Sequence, residues 1–155
     1  MNEQESTNEL SPVRMIDAPP EKVFRAWTEP ELLKQWFTPH PWTVASAQLD
    51  VRPGGSNTIV MRSPEGKEFS NRGVYLDVEM NKRIVFTDAY TEAWVPSEKP
   101  FMTGIITFED EGGKTRYTAR VRHWSAEDRK KHEEMGFHEG WSKATDQLVE
   151  LVATL

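Results

Sequence analysis

The spacing of apolar residues changes twice along the chain and divides it into three regions. Within residues 20–37 the apolar residues recur every three or four positions, as on one face of a helix. Between residues 42 and 121 the period falls to two, and turn signals such as Pro53-Gly54-Gly55 and Glu111-Gly112-Gly113 interrupt it repeatedly. After residue 125 the helical period returns. This pattern predicts short helices, then a meander of antiparallel strands, then a C-terminal helix.

Two short consecutive helices are predicted after a first strand that ends near Ile16. Ala18-Pro19-Pro20-Glu21 places proline and a carboxylate at a helix start, where the missing N–H costs nothing and the dipole favours a negative charge. Thr28-Glu29-Pro30 ends this helix and begins the second, which extends until Pro39 and Pro41. The apolar residues of the two helices are Val23, Phe24, Trp27, Leu32, Leu33, Trp36 and Phe37.

The clearest strand runs from Thr115 to His123. Tyr117, Ala119, Val121 and His123 point to one side of it, while arginines and a threonine point to the other. One face of the sheet is therefore expected to be buried and the other to contact water. The segment 95–100 contains two prolines and is predicted to be a loop.

The last segment, from residue 125 to the end, is predicted to be helical, with Ser125 as its N-cap and two acidic residues in the first turn. Gly136 and Gly140 lie inside it, and each costs about 1 kcal/mol relative to alanine. A close approach of the sheet or a ligand would offset that cost, and so would a break between two helices near Gly136. The apolar stripe consists of Phe137, Trp141, Ala144, Leu148, Leu151, Val152 and Leu155.

These elements predict an α+β fold of the helix-grip type. In this fold a curved antiparallel sheet of six to seven strands wraps around a long C-terminal helix, with two short helices after the first strand. Residues 10–155 are expected to form one domain, preceded by a flexible, solvated tail at residues 1–9 that includes Glu9. One helix, about 10 Å wide, cannot fill the concave face of such a sheet, so a cavity is predicted at the open end.

Composition narrows the classes of partner. The chain has 19 Lys and Arg against 25 Asp and Glu, a net charge of -6 without a basic cluster, so neither nucleic acid nor membrane insertion is expected. There is no cysteine, and no His-x-x-x-His pair, so no metal or other cofactor is predicted. The polar N-terminus lacks an apolar signal segment, and a cytoplasmic location is expected.

Aromatic residues dominate the candidate binding site, with six Trp, seven Phe and three Tyr in 155 residues. Many lie near predicted element ends, where they could line an apolar pocket or form ordinary core. Methionines add adaptable surface. The candidate ligand-binding residues are Trp36, Phe37, Trp42, Met61, Tyr75, Phe86, Asp88, Trp94, Met102, Tyr117, His123, Phe137 and Trp141.

Two polar candidates each have two interpretations. His123 continues the buried face of its strand, so it either presents a nitrogen to the cavity or is held structurally by hydrogen bonds. Asp88 is either a perturbed carboxylate inside the cavity or a residue that faces water because the strand ends near Thr87. His138 is expected to pair with Glu134 on the surface.

Five stretches of the chain resemble one family, and they occur in that family's order. They are residues 20–27, 32–37, 50–55, 83–88 and 135–141, with PEKVFRAW in the first and MGFHEGW in the last. From about residue 11 to the C-terminus the chain resembles the activator of 90-kDa heat-shock-protein ATPase homologue (AHSA-like) family of the START-like SRPBCC superfamily. The resemblance implies a helix-grip fold with a cavity between sheet and C-terminal helix. Its members include lipid carriers, cyclases, co-chaperone modules and stand-alone bacterial domains.

Three functions follow as hypotheses. The first is binding of a small hydrophobic or amphipathic ligand in the cavity. The second is a co-chaperone-like interaction module; a chaperone partner has no site in the sequence, and a homodimer is also compatible with it. The third is a cyclase or hydrolase that uses His123 and Asp88.

Overall fold

One antiparallel sheet dominates the computed structural model, which describes residues 8–98 and 100–155. In this part of the chain eight strands form the sheet and two short strands form a separate hairpin. The strands are β1 (Glu9–Leu10), β2 (Val13–Ile16), β3 (Thr43–Leu49), β4 (Ser56–Arg62), β5 (Glu68–Glu79), β6 (Arg83–Thr87), β7 (Tyr90–Glu92), β8 (Val95–Pro96), β9 (Met102–Glu111) and β10 (Lys114–His123).

The sheet has the order β1-β10-β9-β6-β5-β4-β3, and β2 also pairs with β10. Leu10 lies opposite Val121 and Ile16 lies opposite Thr115, so β1 and β2 are two pieces of one edge strand. The sheet therefore has seven strand positions, within the predicted range.

The helices are α1 (Pro20–Thr28), α2 (Pro30–Leu33), α3 (Ala126–Glu134) and α4 (Phe137–Val152). The second helix is shorter than predicted, because regular helix ends at Leu33 and turns continue the chain. Ser125 caps α3 by accepting a hydrogen bond from the Asp128 N–H at 3.1 Å. Gly136 has a φ of 91°, so the helix break is the explanation that holds for this glycine. None of these helices, within the described residues, is long and apolar enough to cross a bilayer.

The alternation in β10 is confirmed. Tyr117, Ala119, Val121 and His123 are buried, while the intervening arginines are at least partly exposed. The predicted stripe on α4 packs against this buried face, with Ala144, Leu148 and Val152 fully enclosed. The α+β helix-grip architecture is therefore the fold of this chain.

The prediction of a loop at residues 95–100 is wrong for its first two residues. Val95–Pro96 forms β8, which pairs with β7 in a short hairpin. Proline is tolerated there because an edge strand does not need its N–H for the ladder.

The N-terminal tail also ends earlier than predicted. Residues 1–7 lie outside the described part of the chain, but Glu9 belongs to β1 and its side chain is only 5% exposed. Its carboxylate accepts hydrogen bonds from Arg120 at 2.8 Å, from Arg122 at 3.0 Å and from Ser11 at 2.8 Å. Burial alone would raise the pKa of the Glu9 carboxyl, but these bonds outweigh it and hold that pKa below its ordinary value.

Glu9→Gln should therefore lower the free energy of unfolding by about 1–2 kcal/mol at pH 7, because two guanidinium groups lose their shared carboxylate. Urea denaturation measures this. Because the pKa of Glu9 is lowered in the folded state, the loss should shrink as the pH falls through and below the ordinary Glu range near 4. Glu111→Gln is the matched control, since Glu111 pairs with Arg116 at 3.1 Å with both side chains about half exposed. We expect less than about 0.5 kcal/mol there, and equal effects of the two variants would contradict the assignment.

Candidate ligand site

Aromatic rings occupy the middle of the space between the sheet and the helices. The Trp27 ring contacts Trp36, with centroids 5.1 Å apart, and Phe86, with centroids 5.9 Å apart. The Trp27 Nε1–H donates to the Tyr117 hydroxyl at 3.1 Å. Burial raises the pKa of Tyr117, so the hydroxyl is a neutral phenol. This part of the predicted hollow is therefore filled by side chains.

Gly104 on β9 allows one of these rings to lie directly on the sheet. A Cβ at Gly104 would be 2.6 Å from the Phe86 Cζ atom, a distance that real contacts do not reach. Phe86 therefore fills the volume that a larger residue at position 104 would occupy. Close packing at the sheet centre is typical of an ordinary core.

A cavity opens at the edge of this core, between β2 and α4. Its volume is about 150 Å³. The rings of Phe137 and Trp141 form its apolar side; their centroids are 5.9 Å apart and their planes are nearly parallel. Trp141 also stacks on Tyr117 at 6.1 Å, so the cavity wall continues into the aromatic core. Its other lining residues include Pro12, Arg14, Ser142 and Thr145.

Arg14 provides the positive charge of this cavity. It lies on β2 opposite Tyr117, and that register directs its side chain towards α4. Its Nη1 donates to Asp146 at 2.8 Å, and its Nη2 donates to the Ser142 hydroxyl at 3.3 Å. Sequence reasoning missed Arg14. No alternation in the sequence marks it, because its strand neighbours Val13 and Met15 are apolar, although the structure exposes both of them.

His123 and His132 form a hydrogen-bonded pair away from the cavity lining. His123 Nδ1 is 2.9 Å from the Asn8 carbonyl oxygen, and His123 Nε2 is 2.9 Å from His132 Nδ1. Both nitrogens of His123 are therefore used in structural contacts. The rings of Phe101 and Phe137 contact the His132 ring edge to face.

Asp88 also holds the backbone in place. The strand β6 ends at Thr87, as required by the interpretation in which Asp88 lies beyond the strand and faces water. However, the Asp88 carboxylate does not simply face water, since its Oδ1 accepts the N–H groups of Phe101 at 2.8 Å and Met102 at 3.1 Å. It fixes the start of β9. The predicted pair of His138 with Glu134 is wrong, because His138 contacts Glu133 at 2.9 Å, one position earlier.

The structure brings together only some of the candidate site residues. Phe137 and Trp141 line the cavity, and both were predicted. Trp94 is 88% exposed at the β7–β8 hairpin and is not enclosed by sheet and helix. The remaining aromatic and methionine candidates lie in the core or along its other edges: Trp36, Tyr75, Tyr117, Phe37, Phe86 and Met102 in the main cluster, Met61 in a second cluster with Leu33, and Trp42 against Phe69.

Residues 8–98 and 100–155 contain no group of three or more His, Asp or Glu side chains placed to hold a metal ion. The His123–His132 contact involves two side chains only.

The sheet, the enclosed helix and the edge cavity define the class, which is a helix-grip domain of the START-like SRPBCC type. The sequence profile of the family described as "Activator of Hsp90 ATPase homolog 1-like protein" matches residues 17–153. The chain therefore belongs to this family, and the resemblance drawn from its sequence motifs is confirmed.

Solved structures agree with this assignment. Protein NE0264 from Nitrosomonas europaea is 42% identical, with a TM-score of 0.93 and coverage of 96% of both chains. Protein Ms6760 from Mycobacterium smegmatis is 26% identical, with a TM-score of 0.81 and coverage of 97% of this chain and 93% of that one. The AHSA1-like protein from Aeromonas hydrophila shares the fold at 20% identity, with a TM-score of 0.70 and coverage of 94% and 92%. No curated protein matched the chain.

Proposed function

We propose that the protein binds a small hydrophobic or amphipathic molecule in the cavity between β2 and α4. The observation that carries this proposal is the pair of nearly parallel rings, Phe137 and Trp141, that line an open volume of about 150 Å³. Flat apolar walls with a few polar groups at the rim are typical of small-molecule sites.

The volume limits the size of the guest. Cavities of roughly this volume hold a benzene-sized molecule, whereas drug-sized ligands need about 300 Å³ or more. A single aromatic ring with a short substituent therefore fits, and a long acyl chain does not fit within the cavity. For such a small guest we expect a dissociation constant on the order of micromolar to millimolar.

Indole is a suitable probe because it is planar and neutral, and its two fused rings contain only nine heavy atoms, as many as a benzene ring with a three-atom substituent. We expect saturable chemical-shift changes in the protein's NMR spectrum on titration with indole, concentrated at the amides of Trp141, Ser142 and Arg14. At ten times its dissociation constant the guest should add about 1.4 kcal/mol to the free energy of unfolding.

Ser142→Phe tests the location by filling the cavity without removing a core side chain. It should abolish the indole-induced shifts. Glu150→Phe, at another exposed position further along α4, should leave them intact. If neither indole nor a single-ring probe such as benzyl alcohol produces saturable shifts, or if the shifts persist in Ser142→Phe, the proposed site is wrong.

A further inference from the structure

We infer that the preferred guest of this cavity is a small organic anion, a single ring bearing a carboxylate, which is bound through Arg14 and Ser142. This inference rests on the proposed function and adds the chemical class of the ligand. It follows from the distribution of charge around the cavity walls.

Arg14 supplies the charged donor. Of the residues that line the cavity, Arg14 has the permanent charge, and no carboxylate is among the described residues that line it. His138 also lines the cavity, but its Nε2 contacts the Glu133 carboxylate at 2.9 Å. An anionic guest in the cavity would therefore contact the Arg14 guanidinium at one side and the apolar rings of Phe137 and Trp141 at the other. This combination suits an amphipathic guest whose charge and ring occupy opposite ends.

The present partners of Arg14 leave it able to accept an anion. Among the hydrogen bonds formed within the described residues, those of Arg14 use Nη1 and Nη2 but not Nε. Its ion pair with Asp146 is solvent-exposed, with 35% and 64% of the two side chains accessible. Exposed pairs contribute only about 0–1 kcal/mol, so a carboxylate can share or replace Asp146 at small cost.

Ser142 provides a second donor beside Arg14. Its hydroxyl oxygen accepts from Arg14 Nη2 at 3.3 Å. The hydroxyl hydrogen can therefore point away from Arg14 and towards a guest. A carboxylate has two oxygens and can accept from both groups at once.

The net charge of -6 does not exclude an anionic guest. Repulsion from distant surface charges is screened beyond about 8 Å at physiological ionic strength. Arg14 therefore has more influence than the net charge of the protein on whether the preferred ligand is negative or positive.

Benzoate and benzyl alcohol test this inference, because they have similar size and differ in charge. In isothermal titration or NMR titration at physiological ionic strength, benzoate should bind about three- to fivefold more tightly than benzyl alcohol. Arg14→Gln should reduce this ratio to about one. Asp146→Asn should tighten benzoate binding several-fold, because it removes the competing carboxylate, and should leave benzyl alcohol unchanged.

Arg116→Gln is the matched control, because it removes the same charge at a position paired with Glu111 on the opposite face of β10, and it should preserve the ratio. Equal binding of the two probes to the unaltered protein would overturn the anion preference while the proposed function stands. Binding of neither probe would overturn both. A preference for benzoate that survives in Arg14→Gln, or that does not increase in Asp146→Asn, would overturn the role of Arg14.

Discussion

Replacing Trp36 by alanine should lower the free energy of unfolding by about 3–5 kcal/mol, the range typical of large-to-small changes at a buried tryptophan. Trp36 is 2% exposed and its ring contacts Trp27 and Phe37 with centroids 5.1 and 5.6 Å apart. Its Nε1–H donates to the Ala26 carbonyl at 2.9 Å. That carbonyl lies in the last turn of α1, where no backbone N–H group of the helix is available to bond to it. The variant therefore loses both packing and a helix cap.

Urea denaturation followed by circular dichroism measures this loss without depending on tryptophan fluorescence. Trp94→Ala is the matched control, because the same atoms are removed from a side chain that is 88% exposed. We expect that variant to change stability by less than about 0.5 kcal/mol. Trp36→Phe keeps most of the ring volume and should show an intermediate loss from the missing hydrogen bond. Similar losses in Trp36→Ala and Trp94→Ala would show that the aromatic interior does not stabilise the fold.

The parts of the fold that the sequence predicts correctly are those with a strong local period. Strand β10 alternates because one face contacts water and the other packs on α4, so each residue reports its own environment. A helix break near Gly136 was one of two explanations that the sequence allowed, and the left-handed φ of this glycine selects it. These signals depend on near neighbours in the chain, so no knowledge of the tertiary structure is needed to interpret them.

The features that were missed depend on contacts between distant segments. Glu9 is a solvated tail residue by composition, and only the neighbouring arginines of β10 make it a buried, paired carboxylate. Arg14 becomes a cavity residue only because α4 crosses β2. The sequence indicated an apolar site among many aromatic residues, but it could not distinguish the ring pair at the cavity from the rings that fill the core.

The pair formed by His123 and His132 is a further contact of this kind, and it predicts a dependence of stability on pH. Burial of the His132 ring, with the nearby His123, lowers the pKa of His132 from 6.5 to about 4. The Asn8 carbonyl can only accept, so neutral His123 carries its proton on Nδ1 and accepts at Nε2 from His132 Nδ1–H. If both rings are protonated, both facing nitrogens carry hydrogens and this bond cannot form.

The direction of the effect follows from the lowered pKa. Between pH 6.5 and about 4 the unfolded chain binds a proton at His132 that the folded chain does not. The stability that neutral His132 contributes should therefore be fully present above pH 6.5, and it should be lost progressively as the pH decreases to about 4. A shift of this size corresponds to about 3 kcal/mol at full effect, and because the ring is partly open to solvent we expect roughly 1–2 kcal/mol.

Urea denaturation at several pH values, compared between the unaltered protein and His132→Gln, isolates this term from other titrating groups. Charged neighbours around the pair are Glu133 and Arg129 on α3 and His138 on α4, and Glu133 is bound to both of the others. His40→Gln is the matched control, because it removes an exposed histidine whose hydrogen bonds, within the described residues, involve only its backbone atoms, and it should leave the loss of stability between pH 6.5 and 4 unchanged. In His132→Gln that loss should be smaller by about 1–2 kcal/mol. An equal loss in His132→Gln and in the unaltered protein would mean that the buried histidine pair does not control the response to acid.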